Sequence, residues 1–499
     1  MKLAAPSYRH LYAGGLGLIF CLGLAPWDLW PVSLFSVYGL WALLEGRSAR
    51  QGFFLGWAYG IGLWGSGVSW LWVSIHEHGA TSAWLAALMV LFVAVVMGSL
   101  SGLQAALYRR YLARSASWIG FTGAWVLFEW LRSWLFTGFP WLYLGDGLID
   151  TPLAGYAPLG GVFMVSGFAC LSALMLARLD LRRGLFLALL WFGGHRLFLH
   201  DWTQAQGHPL SVSLVQGNID QDSKWDVANE DAIIATYRRL SQSEWGRDIV
   251  LWPEAAITKF YDEATSDLQD LQALAQSHGT TLITGIPYAE PYAQDYLYFN
   301  TVIALGEGAG LYAKQRLVPF GEYVPMAPVL RGLMPFFDLP MSGFTPGPEH
   351  QPPLRAGLWR VQPSICYEVA YPDLLQRQAA AADLLVTVSN DAWFGHSHGP
   401  QQHFAMVRMR ALETGRYFLS ATNNGITAVV DPKGRVLARA PSFRPYVLRA
   451  EVHAMRHLTP WLVWGETPTL LLAVLACLAG RGRGGRRDSA TPLEEGTHG

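Results

Sequence analysis

The hydrophobic pattern divides the 499-residue chain into two unlike parts. Residues 10 to 199 are a series of apolar stretches, and a helix that crosses a bilayer needs about 20 such residues. The first stretch is interpreted as a span and not as a signal peptide, because further apolar stretches follow at once. Spans are predicted near residues 10–26, 29–46, 52–74, 83–108, 117–137, 159–179, 183–199 and 458–479.

Basic residues are distributed unevenly among the predicted loops. Loops 75–82 and 138–158 contain no Lys or Arg, whereas the alternate segments carry clusters of them. The positive-inside rule then places both termini in the cytoplasm and the large polar region outside it. We expect a multi-pass protein of the bacterial inner membrane with its polar domain in the periplasm. The clusters contain Lys2, Arg9, Arg47, Arg50, Arg109, Arg110, Arg114, Arg178, Arg182, Arg183, Arg481, Arg483, Arg486 and Arg487.

The polar region alternates short apolar runs with helical patterns, which is typical of sheets covered by helices. The segment 325–350 fits neither pattern and is interpreted as a long functional loop. The predicted domains are 1–207, 208–455, 456–480 and a disordered tail, 481–499. The predicted strands are 210–215, 249–252, 281–286, 298–305, 383–388, 418–421 and 426–430, and the predicted helices are 227–244, 264–278 and 401–415.

Composition narrows the class of protein. The chain is 52% hydrophobic and only 15% charged, which favours a membrane protein. A formal net charge of -1 argues against a nucleic-acid partner. The four cysteines have no disulfide or zinc spacing, and no carboxylate or cysteine completes a metal set with His396, His398 and His403. We expect no metal, no cofactor and a monomeric chain.

Cys366 is the cysteine most suited to chemistry. It follows the apolar run that begins at Val361 and is the only cysteine set among polar residues. A small buried hydrophobe is the commonest fate of a free cysteine, so reactivity requires a nearby base or cation. A pair with His403, as in cysteine proteases, is one source of such a base, although its signal is weak.

Two further residues could activate that cysteine. Glu254 directly follows an apolar strand in Leu-Trp-Pro-Glu, where a poorly hydrated carboxylate would suit a general base. An acid at a helix N-terminus is an equally good interpretation. Lys314 lies between apolar runs in a chain that otherwise uses mainly arginine, which hints at a donor to an oxyanion. A solvated loop lysine is the alternative, and Glu322 is a second carboxylate or a turn residue.

Taken together, Trp-Pro-Glu254, Tyr-x-Lys314 and Ile-Cys366-Tyr-Glu resemble the three catalytic signatures of the nitrilase, or carbon–nitrogen hydrolase, superfamily. Their flanks extend the match, in Leu-Val-Pro-Phe-Gly-Glu-Tyr-Val-Pro325, Ser-Asn-Asp-Ala-Trp-Phe-Gly395 and Ala-Thr-Asn-Asn-Gly425. With spans on both sides, residues 8–480 resemble the apolipoprotein N-acyltransferase family. The resemblance implies a polytopic helical membrane domain of about eight spans and an extracytoplasmic αββα sandwich.

The resemblance also implies roles for individual residues. Cys366 would be the nucleophile, Glu254 the general base and Lys314 the oxyanion donor. Trp141, on an arginine-free outer stretch, could belong to an interfacial belt, to the acyl-chain entrance, or to both. The residues expected to support the site are Glu322, Tyr367 and Glu368, and Trp225 is expected near it.

The same resemblance implies the substrates. A phospholipid would donate an acyl chain to Cys366, and a diacylglyceryl-modified apolipoprotein would accept it on its α-amine. A membrane-tethered amidase that releases the acyl group to water would use the same three residues. A transporter is a further alternative, but Glu129 and Arg132 in the fifth span are more simply a helix-end ion pair.

Overall fold

A computed structural model describes residues 8–114, 117–176, 179–293, 295–326 and 343–481. The first part of the chain is helical, as its long apolar stretches predict. Its helices are α1 (Tyr8–Phe20), α2 (Trp30–Leu44), α3 (Ala49–Gly67), α4 (Leu71–His76), α5 (Ala83–Leu107), α6 (Ser117–Trp134), α7 (Ala157–Leu176) and α8 (Leu181–Leu199).

The polar part of the chain forms two β-sheets. Its strands are β1 (Gln204–Gln216), β2 (Ile249–Leu251), β3 (Thr281–Tyr292), β4 (Asp295–Gly306), β5 (Gly308–Ala309), β6 (Leu311–Ala313), β7 (Leu354–Ala356), β8 (Trp359–Ile365), β9 (Leu384–Ser389), β10 (Phe418–Thr422), β11 (Ala428–Val430), β12 (Val436–Arg439) and β13 (Tyr446–Arg456). One sheet has the order β13-β1-β2-β3-β4-β6 and the other β12-β11-β10-β9-β8-β7-β5.

Helices cover the outer faces of the sheets. They are α9 (Glu230–Leu240), α10 (Thr265–Ser277), α11 (Pro372–Ala379) and α12 (Gly399–Thr414), and the chain continues into α13 (Pro460–Trp464) and α14 (Thr467–Arg481). Apolar side chains from both sheets form one core between them, among them Val212, Leu251 and Val386. Ile233 of α9 and Leu268 of α10 pack on the first sheet. The layers therefore form the αββα sandwich that the resemblance implies.

The parallel pairing of the central strands brings several strand ends to one edge. In the first sheet β1, β2 and β3 are parallel, and in the second β8, β9 and β10 are parallel. Loops at the carboxyl ends of parallel strands meet at the same edge of a sheet, which is where α/β folds bind ligands. Glu254 follows β2 and Cys366 follows β8, so the two candidate residues face each other across the sandwich.

The helical part packs directly against the second sheet's helices. Met409 of α12 and Phe163 of α7 belong to the same buried apolar core. Hydrogen bonds at the borders of the arginine-free loops add to this packing, since Ser74 Oγ donates to Trp393 O at 2.7 Å and Tyr371 OH donates to Thr137 O at 3.0 Å. The two parts form one continuous structure.

The predicted spans coincide largely with helix, but several of them are interrupted, for example at Phe136 and at Gly160 and Gly161. The span predicted at 52–74 is divided between α3 and α4. The span predicted at 458–479 breaks at Gly465, whose φ of +61° ends α13. Within the described ranges, two helical stretches, Ala83–Leu112 and Pro152–Leu176, are long and apolar enough to cross a membrane. Exposed side chains on α5, such as Trp84, Leu88 and Phe92, are apolar.

The sheet was predicted less completely. The runs at 281–286 and 298–305 are the inner halves of a long antiparallel hairpin that continues to Tyr292 and Asp295. Strand β13 was missed, because its alternation of polar and apolar residues is weak. Most of the loop predicted at 325–350 and nearly all of the tail predicted at 481–499 lie outside the described residues. In the described part of the loop, Phe344 N donates to Glu322 O at 2.9 Å and anchors that part beside the site.

Candidate active site

Cys366 occupies a left-handed turn at the end of β8. Its φ is +51°, and the next residues form a short 3₁₀ helix, Cys366–Ala370. Left-handed backbone at a non-glycine residue costs about 1 kcal/mol or more and persists where the surroundings enforce it. The side chain of Cys366 is only partly accessible to solvent.

Glu254 occupies the matching position after β2 of the other sheet. Its Oε1 accepts a hydrogen bond from Asn300 Nδ2 at 2.7 Å and its Oε2 accepts one from Asn390 N at 2.9 Å. The turn packs so closely on β3 that a Cβ at Gly285 would lie 2.4 Å from Ala255 N. The carboxylate is therefore buried, oriented on both oxygens and held in one position.

Lys314 follows β6 and lies between two carboxylates. Its Nζ is 2.9 Å from Glu322 Oε1 and 3.7 Å from Glu254 Oε1, and the side chain is 1% exposed. Asn300 Nδ2 also donates to Glu322 Oε1 at 3.0 Å, and Val318 N donates to Glu322 Oε2 at 2.8 Å. The structure thus brings Glu254, Lys314 and Glu322 together in one buried cluster in which all four carboxylate oxygens accept hydrogen bonds.

The charges of this cluster act on Cys366. Burial raises the pKa of the Cys366 thiol and the charge of Glu254 raises it further, whereas Lys314 lowers it. Burial lowers the pKa of Lys314, but Glu322, Glu254 and Cys366 outweigh that effect and raise it well above its usual value. The lysine is therefore a fixed cation, and the thiol needs a base to ionise near neutral pH.

Glu368 supports the turn that carries Cys366 through hydrogen bonds to the main chain and to Tyr312. It is fully buried and accepts hydrogen bonds from Ile365 N at 2.8 Å and Gln315 N at 2.7 Å. Tyr312 OH donates to both of its oxygens, at 3.0 and 3.1 Å. Burial raises the pKa of Glu368, and the main-chain donors lower it in part. Glu368 ties the strand end that carries Cys366 to the one that carries Lys314.

Tyr367 connects the nucleophile turn to the helical part. Its ring stacks on Trp141 with centroids 6.3 Å apart, and its OH donates to Gly138 O at 3.4 Å. Trp141 is 1% exposed and its Nε1 donates to Gln402 Oε1 at 2.7 Å. The interfacial-belt interpretation is therefore wrong for Trp141, because other side chains of the protein cover it. Its contact with Tyr367 places it one residue from Cys366.

Trp225 lies beside a lysine that sequence reasoning missed. Lys224 is fully buried, its Nζ donates to Glu254 O at 3.0 Å, and it lies 5.8 Å from the Trp225 ring. Burial lowers the pKa of Lys224 to about 8, and Glu254 raises it in part. Trp225 Nε1 is buried and has no hydrogen-bond partner among the described residues. Trp225 thus adjoins the site through Lys224.

Other polar residues of the site were also missed. Asn390 Nδ2 donates to Gln221 Oε1 at 2.6 Å, and Asn423 Nδ2 donates to Asn390 Oδ1 at 3.1 Å. Both asparagines end strands inside motifs noted for their resemblance, so the motif flanks were the available signal. Asn300 lies inside β4, and no motif around it in the sequence indicates that it belongs to the site.

The three histidines considered for a metal have separate partners. His396 stacks on Phe443, His398 Nε2 lies 3.2 Å from Gly67 O, and His403 Nε2 lies 3.0 Å from Cys366 O. In the described part of the chain, no group of three or more potential ligands surrounds one point. The protease-like pairing is also not formed, because His403 meets the carbonyl oxygen of Cys366.

Glu129 and Arg132 form the ion pair expected for them, at 3.8 Å. Both are buried, and each also binds the loop that follows α6. Glu129 Oε1 accepts from Leu144 N at 2.9 Å, and Arg132 Nη1 donates to Trp141 O at 3.1 Å. The pair therefore fixes the loop that carries Trp141.

Family models match both parts of the chain. The carbon–nitrogen hydrolase model covers residues 211–457, and the apolipoprotein N-acyltransferase N-terminal domain model covers residues 16–175. The apolipoprotein N-acyltransferase of Azotobacter vinelandii is 45% identical over 93% of this chain and 93% of its own. That of Pseudomonas aeruginosa is 43% identical over 95% of this chain and 96% of its own. Among solved structures, Saccharomyces cerevisiae Nit3, of branch 10 of the nitrilase superfamily, is 20% identical over 50% of this chain and 93% of its own, with a TM-score of 0.38.

Two stacked sheets with a cysteine, a lysine and two carboxylates at one edge define the class as a carbon–nitrogen hydrolase-type enzyme. Similarity that extends through the N-terminal helices is more specific. The chain belongs to the apolipoprotein N-acyltransferase family and is an acyltransferase. This result favours acyl transfer to a lipoprotein over the amidase alternative.

Proposed function

We propose that this enzyme N-acylates the α-amine of the S-diacylglyceryl cysteine of apolipoproteins, the last step of lipoprotein maturation. A phospholipid would supply the acyl chain through a thioester on Cys366. The observation that carries the proposal is the contact between the site and the helical part. The turn at Cys366 joins the Glu254–Lys314 cluster on one side and the Trp141 loop on the other.

The first half-reaction would form the thioester. Glu254 accepts the thiol proton, and the sulfur attacks the ester carbonyl of the phospholipid. Lys314 and a main-chain N–H near Tyr367 stabilise the oxyanion. The C–O bond then breaks, and Glu254 returns the proton to the leaving oxygen of the lysophospholipid. The raised pKa of the thiol makes the base necessary for this step.

The second half-reaction would transfer the acyl chain. The lipoprotein amine attacks the thioester carbonyl, and Glu254 accepts a proton from the nitrogen. The C–S bond breaks, and the thiolate recovers that proton. A fixed Lys314 would serve both oxyanions, since its neighbours hold it charged throughout.

The membrane setting supports these substrates. We propose about eight spans, domains at 1–207, 208–455, 456–480 and 481–499, cytoplasmic termini and a periplasmic catalytic domain. In support, the arginine-free loops contact that domain, as in the 3.1 Å contact between His78 Nε2 and Ala392 O. The arginine-rich loops pair with each other instead, since Arg109 Nε donates to Arg47 O at 2.7 Å. Two lipid-anchored substrates would thus meet the site at the outer leaflet.

Two tryptophans are proposed to contact substrate. Trp141 would line the acyl-chain path, because it packs on Tyr367 beside the nucleophile. Trp225 would donate its free buried N–H to a polar part of the substrate. Glu322, Tyr367 and Glu368 would act by holding Lys314 and the nucleophile turn in place.

The test is the intact mass of the purified protein after exposure to phospholipid. We expect wild type to gain the mass of one acyl chain and Cys366→Ser to gain nothing. Addition of a diacylglyceryl-cysteine peptide should then return the enzyme to its original mass and lengthen the peptide by one acyl chain. Acyl transfer that persists in Cys366→Ala would contradict the mechanism.

The same samples separate the alternatives. Steady release of free fatty acid without an acceptor would favour the amidase. Uptake of a solute into proteoliposomes would favour a transporter, whereas unchanged acylation after replacement of Glu129 and Arg132 would leave them a structural pair.

A further inference from the structure

His403 lies directly behind the nucleophile turn. It belongs to α12, is 3% exposed, and its Nε2 lies 3.0 Å from Cys366 O. Its Nδ1 lies 3.5 Å from Asp391 Oδ1, in the turn after β9. One imidazole ring therefore connects two adjacent strand ends of the site.

The partners of this ring determine its protonation. A carbonyl oxygen can only accept a hydrogen bond, and so can an ionised carboxylate. Asp391 Oδ1 already acts as an acceptor, since Ser389 Oγ donates to it at 2.6 Å. A neutral imidazole has one N–H. Either Cys366 O or Asp391 Oδ1 would then face the lone pair of the other ring nitrogen. Only a doubly protonated ring donates to Cys366 O and also presents a charge, in place of a lone pair, to the Asp391 carboxylate 3.5 Å away.

We propose that His403 is a buried imidazolium that holds the main chain of Cys366 and supplies a second positive charge beside the thiol. It is a positioning residue, because it acts through Cys366 and need not touch substrate. The structure provides what such a cation needs, a carboxylate within ion-pair distance and a carbonyl acceptor. The Trp141 ring covers one side, parallel to the imidazole within 3° at a centroid distance of 6.2 Å.

The ionisable groups that act on His403 support its charge. Burial lowers its pKa, but Asp391 raises it by hydrogen bond and charge, the Cys366 carbonyl raises it, and so does Glu254. The net direction is upward. The consequence lies at the thiol, where Asp391 and Glu254 both oppose ionisation. An imidazolium beside Asp391 would offset the effect of these two carboxylates on the thiol. Its hydrogen bond to Cys366 O would stabilise the left-handed turn.

The chemical use of the thiolate rests on the proposed function, but the charge of His403 is a property of the free enzyme. It can be tested by the rate at which iodoacetamide alkylates Cys366 as pH is varied. The full-length protein in detergent is used, and peptide mass distinguishes Cys366 from the other three cysteines. The variant is His403→Gln, whose amide can still donate to Cys366 O but carries no charge. The matched control is His398→Gln on the same helix, whose ring meets Gly67 O.

We expect His403→Gln to move the alkylation midpoint to higher pH. A shift of one pKa unit would slow alkylation about tenfold at a pH below the midpoint. The double variant His403→Gln/Asp391→Asn should shift less, because it also removes the opposing negative charge. His398→Gln should match wild type. A midpoint in His403→Gln that is unchanged or lower would show a neutral histidine and overturn the proposal.

Asp391→Asn gives a second measurement if His403→Gln does not fold. Without its carboxylate partner, the buried His403 should lose its proton at a lower pH than in wild type, because burial lowers its pKa. The alkylation profile of Asp391→Asn should then show a second step that the double variant His403→Gln/Asp391→Asn lacks, and identical profiles for these two variants would overturn the proposal. No phospholipid is present in either assay. If wild type forms no acyl-enzyme but the alkylation shifts appear as expected, only the proposed function is contradicted.

Discussion

Two clusters of buried charge in this protein differ in how completely their atoms are hydrogen-bonded. In the active-site cluster, both oxygens of Glu254 and both of Glu322 accept hydrogen bonds. The second cluster lies where α12 meets the helical part. There Arg410 Nη1 and Glu413 Oε2 are 3.0 Å apart without hydrogen-bond geometry. Tyr143 OH and Asp146 Oδ1 also have no partner among the described residues.

The two clusters also differ in the pKa values of their ionisable groups. Burial raises the pKa of Asp146 to about 7 and that of Glu413 to about 8, with Arg410 lowering both in part. Carboxyl groups without enough donors thus tend to be neutral, whereas the active-site cluster keeps a fixed cation. A site that must stabilise an oxyanion needs charges already in place. The interface stabilises no developing charge, and it buries Arg410 with Nε and Nη1 unpartnered among the described residues.

The largest effect is expected from Lys314→Met. It would leave Glu254 and Glu322 buried without their cation, which costs about 3–5 kcal/mol in similar pairs. Loss of the oxyanion donor should also slow acyl-enzyme formation by about 10²-fold or more. Thermal unfolding and acyl transfer from labelled phospholipid measure the two effects. Lys259→Met is the control, because Lys259 also joins two carboxylates, Asp231 and Asp267, but near the surface. Equal losses in both variants would contradict the distinction.

At the interface, Glu413→Ala should destabilise the protein without direct loss of chemistry. Val162 N donates to Glu413 Oε1 at 2.6 Å and would lose its acceptor, and a cavity would remain. We expect a loss of about 2–4 kcal/mol in the free energy of unfolding. Acyl-enzyme formation by the folded protein at low temperature should stay near that of wild type. A large loss there would show that the interface also positions the site.

Asn300→Ala tests whether the active-site carboxylates depend on their donors. Asn300 Nδ2 serves both Glu254 and Glu322, so its loss should cost about 1–3 kcal/mol of transition-state stabilisation. Acyl-enzyme formation should slow by about tenfold to hundredfold. The control Gln272→Ala removes an amide of α10 that donates to Gly306 O, outside the cluster. A normal rate in Asn300→Ala would mean that Lys314 and the main-chain donors of Asn390 and Val318 are enough to orient both acids.

Glu413→Gln tests the neutral carboxyl directly through pH. The folded pKa of about 8 lies above the ordinary value of 4.5, so the folded state retains a proton that the unfolded state loses. The stabilising effect of that proton is complete below about pH 4.5 and is lost as pH rises to about 8. The advantage of Glu413→Gln over wild type should therefore grow from pH 5 to 8 and then level off. A constant difference in melting temperature would contradict a raised pKa.

The smallest effect is expected from Asp222→Asn. Asp222 lies 3.2 Å from His78 across the contact between the two parts, but its side chain is 76% exposed. Exposed pairs contribute about 0.5 kcal/mol or less. Stability should hardly change, and a loss comparable with that of Glu413→Ala would show that exposed loops hold the two parts together.

Much of the architecture could be predicted because it depends on local pattern. Apolar stretches located the helices, and the absence of arginine from loops 75–82 and 138–158 marked the loops that contact the catalytic domain. Short motifs that resemble those of a known family predicted that Glu254, Lys314 and Cys366 lie in one active site. Breaks at single residues, such as the one at Gly465, were not visible in the hydrophobic pattern.

The tertiary structure alone decided which groups surround those residues. Asn300, Lys224 and His403 reach the site because strand register and the packing of α12 bring distant segments within about 3 Å of Glu254 and Cys366. These distances between segments far apart in the chain cannot be predicted from local sequence. Trp141 was expected near the membrane surface, yet it is buried against Tyr367, because its loop is fixed by Glu129 and Arg132. The sequence determined which residue types form the site. The packing of the folded chain determined which groups bind them.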